Sequence, residues 1–476
     1  MSRNLYSDPL IERYASKEMA AIFSDDFKFR TWRKLWVALA RAEQALGLPI
    51  TDEQLVELEA HVDDINYDVA EAKERDLRHD VMAHVAAYAE QCPKAKAIIH
   101  LGATSAFVGD NTDLIQMREG LKLVQARLAQ CLRALAAFAD QHKALPTLGF
   151  THFQPAQLTT VGKRACLWLQ DCVGDYREAT RRLDELPFRG VKGATGTQAS
   201  FLALFDGDHD KVVKLDAMVA EAMGFSTVLT ITGQTYTRKI DTYVLEALAG
   251  IGQSVHKFTN DVRLLCHLRE VEEPFEKTQV GSSAMAYKRN PMRSERAASL
   301  ARYLMSLVTN AHQTAATQWF ERTLDDSANR RITIPHAFLA ADAVLKLTAN
   351  VAGGLVVRPE VIRARLEAEL PFIATEAVLM AAVKRGGDRQ ALHARIREHS
   401  LKAAERIKAG KPSDLVERLA KDSKHFGLDR AALDELMRPE LHVGRAPQQV
   451  DQYLRETVRP LLTHAPAGAP ESAITL

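Results

Sequence analysis

The residues that most directly suggest chemistry lie in the stretch 281–291, which reads Gly-Ser-Ser-Ala-Met-Ala-Tyr-Lys-Arg-Asn-Pro. Its first half carries the hydroxyls of Ser282 and Ser283, and its second half carries Lys288 and the amide of Asn290. Asn290 is a suitable N-cap and the proline after it suits the first helical position, so we predict that a helix begins here. The positive end of that helix would lie beside Lys288. The stretch therefore predicts a flexible, hydroxyl-bearing loop that closes over an anionic substrate.

A second candidate is His152, in the string Thr151-His152-Phe153-Gln154-Pro155. We interpret Pro155 as the start of a helix, whose dipole would disfavour the imidazolium, whereas a nearby carboxylate would favour it. An isolated histidine is more often structural than catalytic. Lys163 lies on the same predicted helix and is a weaker candidate.

The string Arg78-His79-Asp80 is followed by a second histidine, His84. Two histidines five residues apart lie about 140° apart on a helix, so they cannot bind one metal ion as an i,i+4 pair does. We exclude zinc on that geometry. The group is either a buried histidine paired with an aspartate or part of an active site.

Arginines and hydroxyls recur further along the chain, at Arg322, Ser327 and Arg331. Such a segment is either a solvated turn or a binding site for a phosphate monoester, which suits arginine forks and a hydroxyl. The adjacent Asp325 and Asp326 are weak evidence for a cation site, since no further oxygen pattern accompanies them.

Three turns could lie near such a site. Thr104 and Ser105 offer hydroxyls and free N–H groups for a carboxylate, with a helix start predicted after them at Asp110. The turn 192–197 contains glycines and a lysine but lacks the Walker spacing, so we exclude a phosphate-binding loop. The turn before Gln234 is similar.

The composition is that of a globular protein. The 476 residues suggest two to four domains, and the formal charge of +1 argues against a nucleic-acid or membrane surface. Five cysteines without a Cys-x-x-Cys pair indicate reduced thiols, and we expect a cytoplasmic protein without a membrane span.

Helical periodicity dominates the chain. Apolar residues recur at three-and-four spacing in the segments 121–138, 158–176, 236–265, 295–308 and 338–351. Helices this long must bury their apolar faces against one another. We therefore predict an all-α fold with a central bundle of long helices, and faces apolar enough to form a homo-oligomer.

The stretch 281–290 resembles the signature loop of the fumarase/aspartase superfamily, Gly-Ser-x-x-Met-x-x-Lys-x-Asn. Within it, the wording Ser-Ser-Ala-Met-x-Tyr-Lys-Arg-Asn-Pro-Met-Arg-Ser-Glu is similar to the vertebrate-like branch of the adenylosuccinate lyase family. Ala286 stands where that branch usually has proline, which leaves the rigidity of the loop open but removes no chemical group.

The resemblance implies a three-domain architecture and a shared active site. The expected domains are an N-terminal helical domain 1–104, a central bundle 105–355 and a C-terminal helical domain 356–476. The resemblance also implies a homotetramer whose active sites draw residues from three chains. The implied ligand is a small nucleotide, with no cofactor, metal, nucleic acid or membrane involved.

The resemblance assigns roles to the candidates. Ser282 would be the base, with Ser283 as its rival, and His152 the general acid. Lys288 and Asn290 would anchor carboxylates, and His79 would bind a carboxylate or assist proton transfer. The further substrate contacts implied are Arg13, Tyr14, Arg78, Asp80, Thr104, Ser105, Thr151, Gln234, Arg296, Arg322, Ser327 and Arg331.

The implied reaction is elimination of fumarate from a succinyl-amine on a purine-type nucleotide. A lyase that acts on argininosuccinate would share the loop but would not need the phosphate cluster at Arg322, Ser327 and Arg331. A non-catalytic helical oligomer is compatible with the bundle, but it leaves the coincidence of His152, Ser282 and Lys288 unexplained.

Overall fold

The computed structural model describes residues 4–469 and residue 474. The N-terminal helices are α1 (Lys17–Ile22), α2 (Asp25–Ala45), α3 (Asp52–Ala60), α4 (Tyr67–Leu77) and α5 (Asp80–Gln91). The central helices are α6 (Ser105–Gln141), α7 (Val161–Glu185), α8 (Ala199–Leu204), α9 (His209–Ala222), α10 (Lys239–His267), α11 (Met292–Ala316) and α12 (Asp325–Gly353). The C-terminal helices are α13 (Pro359–Ile373), α14 (Thr375–Lys384), α15 (Arg389–Lys408), α16 (Leu415–Lys421), α17 (Ser423–Phe426), α18 (Arg430–Leu436), α19 (Ala446–Tyr453) and α20 (Arg459–Thr463). Short helical turns at Leu10–Tyr14, Pro439–His442 and Leu454–Val458 complete them, and the predicted all-α class is confirmed.

Within residues 4–469, four short strands form two small antiparallel sheets. They are β1 (Pro146–Thr151), β2 (Gln154–Thr160), β3 (Val271–Glu272) and β4 (Val356–Val357). β1 pairs with β2 in a hairpin, and β3 pairs with β4. The helix predicted to start at Pro155 is therefore wrong: Pro155 pairs with Phe150 in the hairpin, and α7 begins at Val161, where Thr160 accepts the N–H of Lys163 as an N-cap.

The five long helices α6, α7, α10, α11 and α12 pack side by side as the predicted bundle. Trp168 of α7 donates to Asp261 of α10 at 2.7 Å, while Arg182 of α7 lies over the ring of Tyr243 on α10, so these two helices run antiparallel. Contacts between the other neighbouring helices fix their directions in the same way. α6, α10 and α12 run parallel to one another, and α7 and α11 run antiparallel to these three.

The apolar face predicted for α6 is buried. Leu121, Leu128 and Leu135 of α6 are all buried in the main core. Where α6 meets α12 the helices come close: a Cβ on Gly120 would lie 2.6 Å from the ring of Phe338. Glycine at this position therefore permits the packing.

The bundle has two ends that hold different sequence motifs. We call the end where α6, α10 and α12 begin the proximal end, and the end where α7 and α11 begin the distal end. α10 has 29 residues, so at ~1.5 Å per residue the two ends lie roughly 40 Å apart.

The helix start predicted at Asp110 lies earlier in the structure. α6 begins at Ser105, and Asp110, Asn111 and Thr112 are buried inside it. The polar run was interpreted as a cap because Asp and Asn favour helix starts, but here those side chains serve tertiary contacts.

A second, smaller apolar core lies in the C-terminal region. It joins residues from Val378 to Leu433, separate from the main core. One helix within the described residues, α12, is long and apolar enough by composition to cross a membrane, but 72% of its apolar window is buried inside the protein, as is typical of a bundle core.

Candidate active site

The proximal end is built around a buried ion cluster, which we define as Asp110, Arg238, Asp241, Asp326 and Arg330. Arg238 pairs with Asp110 at 3.0 Å and with Asp326 at 2.7 Å. Arg330 pairs with Asp241 at 2.7 Å. The cluster therefore ties the starts of α6, α10 and α12 together.

The electrostatics of the buried ion cluster favour its charged form. Burial alone would raise the pKa of Asp110, but Arg238 and Arg330 hold it below its ordinary value. Burial would likewise lower the pKa of Arg330, but Asp241 and the Tyr236 hydroxyl raise it. Asp110 and Arg330 are thus each stabilised in the charged form by opposite charges.

Gln234 and Arg322 meet beside this cluster. Arg322 Nη1 donates to Gln234 Oε1 at 2.6 Å, and Gln234 Nε2 donates to the carbonyl of Ala194 at 2.9 Å. A Cβ on Gly196 would lie 1.9 Å from the carbonyl of Thr232, so the two turns touch through their backbones. The turn 192–197 thus supports Gln234.

Ser327 and Arg331 occupy the first two turns of α12. Ser327 is half-buried, and Arg331 is exposed with its Nη2 3.9 Å from Oδ2 of Asp80. The two acidic residues at the helix start diverge: Thr323 donates to Asp325, whereas Asp326 pairs with Arg238. They do not share a cation, and among the described residues no group of carboxylates, histidines and thiols could hold a metal.

Arg78, His79 and Asp80 lie at the start of α5. Arg78 has φ of 55°, and His79 is the N-cap of α5, its Nδ1 accepting from the N–H of Met82 at 3.4 Å. His84 faces inward, where burial and Arg33 lower its pKa to about 4. Asp80 brings this group to Arg331 at the proximal end.

Thr104 and Ser105 also lie at the proximal end. Thr104 is the N-cap residue of α6, and its side chain makes no capping hydrogen bond. The predicted role of this turn in binding a carboxylate stays a prediction.

Arg13, Tyr14 and Arg296 lie toward the distal end. The guanidinium of Arg296, in the first turns of α11, lies 5.4 Å from the centre of the Tyr14 ring. Lys346, in the second half of α12, donates to the carbonyl of Tyr14 at 3.3 Å. The structure thus brings Tyr14 and Arg296 together, while Arg13 is exposed.

His152 lies at the tip of the hairpin, at the distal end. His152 and Phe153 form its two-residue turn, with φ of 53° and 57°, between the paired Thr151 and Gln154. This geometry is that of a type I′ turn, which two non-glycine residues adopt at some cost. The imidazole projects from an exposed tip and not from a helix start, so the expected helix dipole does not act on it.

The signature loop 281–290 also lies at the distal end and closes on itself at a narrow neck. Asn290 Nδ2 donates to the carbonyl of Gly281 at 2.9 Å. A Cβ on Gly281 would lie 2.1 Å from the carbonyl of Lys288, so the neck requires glycine there. Residues 283–289 are exposed beyond it.

The hydroxyl oxygen of Ser282 lies inside this loop and accepts two backbone hydrogen bonds. The N–H groups of Ala284 and Met285 donate to it at 3.3 and 3.1 Å. Ser282 is half-buried, whereas Ser283 is exposed. Two donors aimed at one oxygen would stabilise its deprotonated form.

The predicted cap of α11 is wrong in its residues. The helix begins at Met292, and Asn290 serves the neck instead of the helix. The carboxylate of Glu273 accepts the N–H groups of Arg293 and Ser294, both at 2.9 Å. Glu273, and not the predicted Asn290, therefore caps the N-terminus of α11.

The candidate residues therefore form two groups within one chain. The proximal group holds Arg78, His79, Asp80, Thr104, Ser105, Gln234, Arg322, Ser327 and Arg331. The distal group holds Arg13, Tyr14, Thr151, His152, Ser282, Lys288, Asn290 and Arg296. A small substrate cannot contact both ends of a bundle roughly 40 Å long.

Comparison with known proteins identifies the superfamily of this chain. The model of the Lyase family matches residues 13–305, and the model of the adenylosuccinate lyase C-terminus matches residues 371–453. Among solved structures, a fumarate lyase from Mesorhizobium superposes with a TM-score of 0.80 at 24% identity, covering 95% of this chain and all of that one. A 3-carboxy-cis,cis-muconate lactonizing enzyme from Pseudomonas putida superposes with a TM-score of 0.82 at 22% identity, over 96% of this chain and all of that one. The chain is a lyase of the fumarase/aspartase superfamily.

The sequence relatives narrow that class. Adenylosuccinate lyases from Saccharomyces cerevisiae and Schizosaccharomyces pombe are 53% and 52% identical over 95% of both chains. The adenylosuccinate lyase of Schistosoma mansoni is 49% identical over 96% of both chains. The chain belongs to the adenylosuccinate lyase family.

The sequence reasoning missed the buried ion cluster and the cap at Glu273. A signal for the cluster exists: Asp326 and Arg330 are four residues apart, so they lie on one face of a helix. Charges on a core-facing stripe predict pairing with one another. Glu273 has no such local signal, because its partners lie twenty residues away across an irregular segment.

Proposed function

We propose that this chain eliminates fumarate from adenylosuccinate to give AMP, and from succinylaminoimidazole carboxamide ribotide to give the free carboxamide. The observation that carries the proposal is the Ser282 oxygen, which sits in the signature loop with two N–H donors. Both reactions break one carbon–nitrogen bond and are redox-neutral, so the proposal invokes no cofactor.

The proposed base is Ser282. Elimination removes a proton from the carbon β to the departing nitrogen, and a serine needs a lowered pKa to do so near neutral pH. The N–H groups of Ala284 and Met285 supply stabilisation for an alkoxide, and closure of the loop would exclude water. Ser283 is exposed, which favours Ser282 over it.

The proposed acid is His152, which would protonate the leaving nitrogen. Its place at an exposed hairpin tip suits a group that reaches into a site completed by another chain. His79 would assist by binding a carboxylate or by proton transfer. The charge that builds on the neighbouring carboxylate would be held by Lys288 and by the Asn290 amide, one of whose N–H groups remains after the neck bond.

The proposed nucleotide-binding residues lie mainly at the proximal end. Arg322, Ser327 and Arg331 would bind the phosphate, and Gln234 is fixed by Arg322 for a contact with the substrate. Arg78, Asp80, Thr104, Ser105, Thr151, Arg13, Tyr14 and Arg296 are the remaining proposed contacts.

The roughly 40 Å between the two groups favours a site shared between chains. We propose a homotetramer in the cytoplasm, with the domain division 1–104, 105–355 and 356–476. Exposed apolar side chains on the outer faces of α10 and α11, such as Tyr243, Leu264 and Tyr303, fit burial against other copies. Light scattering on the purified protein should give four chain masses, and a monomer that is fully active would contradict the shared site.

The reaction is tested by ultraviolet absorbance on mixing the protein with adenylosuccinate. We expect release of fumarate and AMP from adenylosuccinate and no change with argininosuccinate, which has no phosphate for Arg322, Ser327 and Arg331. The reverse preference would support an argininosuccinate lyase. A protein that releases fumarate from neither would support the non-catalytic oligomer.

A further inference from the structure

Lys28 of α2 is a half-buried lysine that none of the candidate motifs includes. Its Nζ lies 4.8 Å from the centre of the Phe29 ring and 5.1 Å from that of Trp32. Among the described residues it makes no side-chain hydrogen bond or ion pair. An ammonium kept partly out of water without a counter-ion needs an explanation.

The aromatic surface under Lys28 connects it to the proximal site. His84 stacks on Phe29 with ring centres 3.8 Å apart and meets the edge of Trp32 at 5.5 Å. His84 and Asp80 are four residues apart on α5, so they lie on one face of that helix. Asp80 lies 3.9 Å from Arg331, so Lys28 and Arg331 approach the same face of α5.

Lys28 and Arg331 lie near each other, among carboxylates that form no close ion pair with Lys28. Burial and the nearby Arg331 lower the pKa of Lys28, while Asp80, Asp113 and Asp25 act in the opposite direction. Asp113 already pairs with Arg330 at 2.8 Å, and Asp80 holds Arg331 only loosely at 3.9 Å. Among the described residues Lys28 thus has no close ion pair and Arg331 has only a loose one, so both cations remain able to bind an anion.

The remaining groups near Arg331 indicate which anion this is. Ser327 lies one turn before Arg331 on α12, so its hydroxyl is on the same helix face. A hydroxyl and two cations match a phosphate monoester, which carries about two negative charges and several acceptor oxygens. A carboxylate would leave part of this positive charge uncompensated.

We infer that Lys28 is a further substrate-binding residue, whose ammonium acts with Arg331 and Ser327 on the phosphate of the nucleotide. The inference rests on the proposed function, since it names a further residue of the same site. It also explains why the ammonium lies over the rings of Phe29 and Trp32 and forms no close ion pair among the described residues.

The test compares Lys28→Met and Lys28→Arg with a control, Lys34→Met, which alters an exposed lysine on the same helix. We expect Lys28→Met to raise KM for adenylosuccinate about tenfold with kcat within about twofold, as the loss of one charge-assisted contact predicts. The inhibition constants of AMP and inorganic phosphate should rise equally, and that of fumarate should stay unchanged. Lys28→Arg should restore most of the affinity, and Lys34→Met should behave as wild type.

Calorimetric titration of AMP into each variant separates this inference from the proposed reaction, because binding requires no turnover. Circular dichroism and thermal unfolding confirm that each variant is folded. Unchanged AMP binding by a folded Lys28→Met protein would overturn the inference and leave the reaction standing. A rise in the fumarate constant alone would also overturn it, by placing Lys28 at a carboxylate. A wild-type protein that binds AMP but releases no fumarate would reject the reaction and not the binding site.

Discussion

The two ends of the bundle differ in the kind of element that carries the candidate residues. At the proximal end the buried ion cluster fixes three helix starts, and the residues proposed to bind the nucleotide lie on or beside those starts. At the distal end the proposed acid and base lie on an exposed hairpin tip and an exposed loop, attached by a two-stranded base and a narrow neck. The proposed nucleotide-binding groups thus lie on or beside helix starts, whereas the proposed acid and base lie on an exposed turn and in an irregular loop.

The largest effect should come from the distal loop. Ser282→Ala removes the oxygen that accepts hydrogen bonds from the N–H groups of Ala284 and Met285, so we expect kcat to fall at least ~10³-fold. AMP binding, measured by calorimetry, should be nearly intact because the nucleotide contacts lie elsewhere. Ser283→Ala is the matched control and should retain most activity. Full activity in Ser282→Ala would reject Ser282 as the base and weaken the contrast between the ends.

The hairpin tip should give the next largest effect. His152→Ala removes the proposed acid, and general-acid catalysis contributes ~10²–10⁴-fold, so kcat should fall by that range with little change in KM. Steady-state kinetics with adenylosuccinate measure it. Gln154→Ala, at an exposed position beside the turn, should leave kcat nearly unchanged. A large rise in KM at constant kcat would instead make His152 a binding residue.

A substitution in the buried ion cluster at the proximal end should change both the free energy of unfolding and the KM for the substrate. Arg330→Met leaves the buried Asp241 and the half-buried Asp113 without their guanidinium partner, which should lower the free energy of unfolding by about 3–5 kcal/mol. KM should also rise, since the start of α12 carries Ser327 and Arg331. Denaturant unfolding at fixed protein concentration measures the first effect.

The control for this variant is Arg181→Met, which breaks exposed ion pairs with Glu178 and Glu185 on α7. Exposed pairs contribute little because water and salt screen them, so stability should hardly change. Equal losses in the two variants would show that the buried ion cluster is no more important than a surface pair.

The smallest effect concerns a buried charge with no partner. Glu43 of α2 is fully buried, neither carboxylate oxygen has a hydrogen-bond partner among the described residues, and burial raises its pKa to about 8. The folded-state pKa lies above the ordinary value of 4.5, so the unfolded chain loses its proton first. Stability should therefore fall as pH rises from about 4.5 to about 8.

Glu43→Gln should remove this dependence, with little change at pH 4.5 and a gain on the order of 3 kcal/mol near pH 8. Unfolding measured across that pH range tests it, with Glu74→Gln, at an exposed position, as the control. Parallel pH profiles for wild type and Glu43→Gln would show that the buried carboxyl is compensated. Such a result would bring Glu43 into line with the paired charges of the proximal end.

Much of the fold could be predicted because its signal is local. The periodicity of Leu121, Leu128 and Leu135 identified a buried helix face, and α6 contains it. The first and last residues of helices and strands were less predictable where a residue type is common in more than one kind of element. Pro155 suits both a helix start and an edge strand, and the hairpin pairing with Phe150 decided for the strand.

Candidate site residues were likewise predictable where they are close in the sequence and not predictable where they are far apart. The types and spacing of Ser282, Lys288 and Asn290 marked the loop, because that chemistry lies in adjacent residues. Lys28 escaped notice because its neighbours in the sequence are ordinary and its significance comes from Arg331, which is distant along the chain. Only contact between helices reveals two neighbouring cations that lack close carboxylate partners among the described residues.

The sequence by itself determined the helical class, the loop that carries the hydroxyls and the residues with the right chemistry, since each depends on neighbours within a few turns. The tertiary structure decided that these residues occupy opposite ends of a bundle, that Glu273 caps α11 and that Arg238 and Arg330 lie among carboxylates. Those outcomes depend on which helices pack together and in which direction. The packing is set by the sum of many weak contacts across the core, and no single stretch of sequence encodes it.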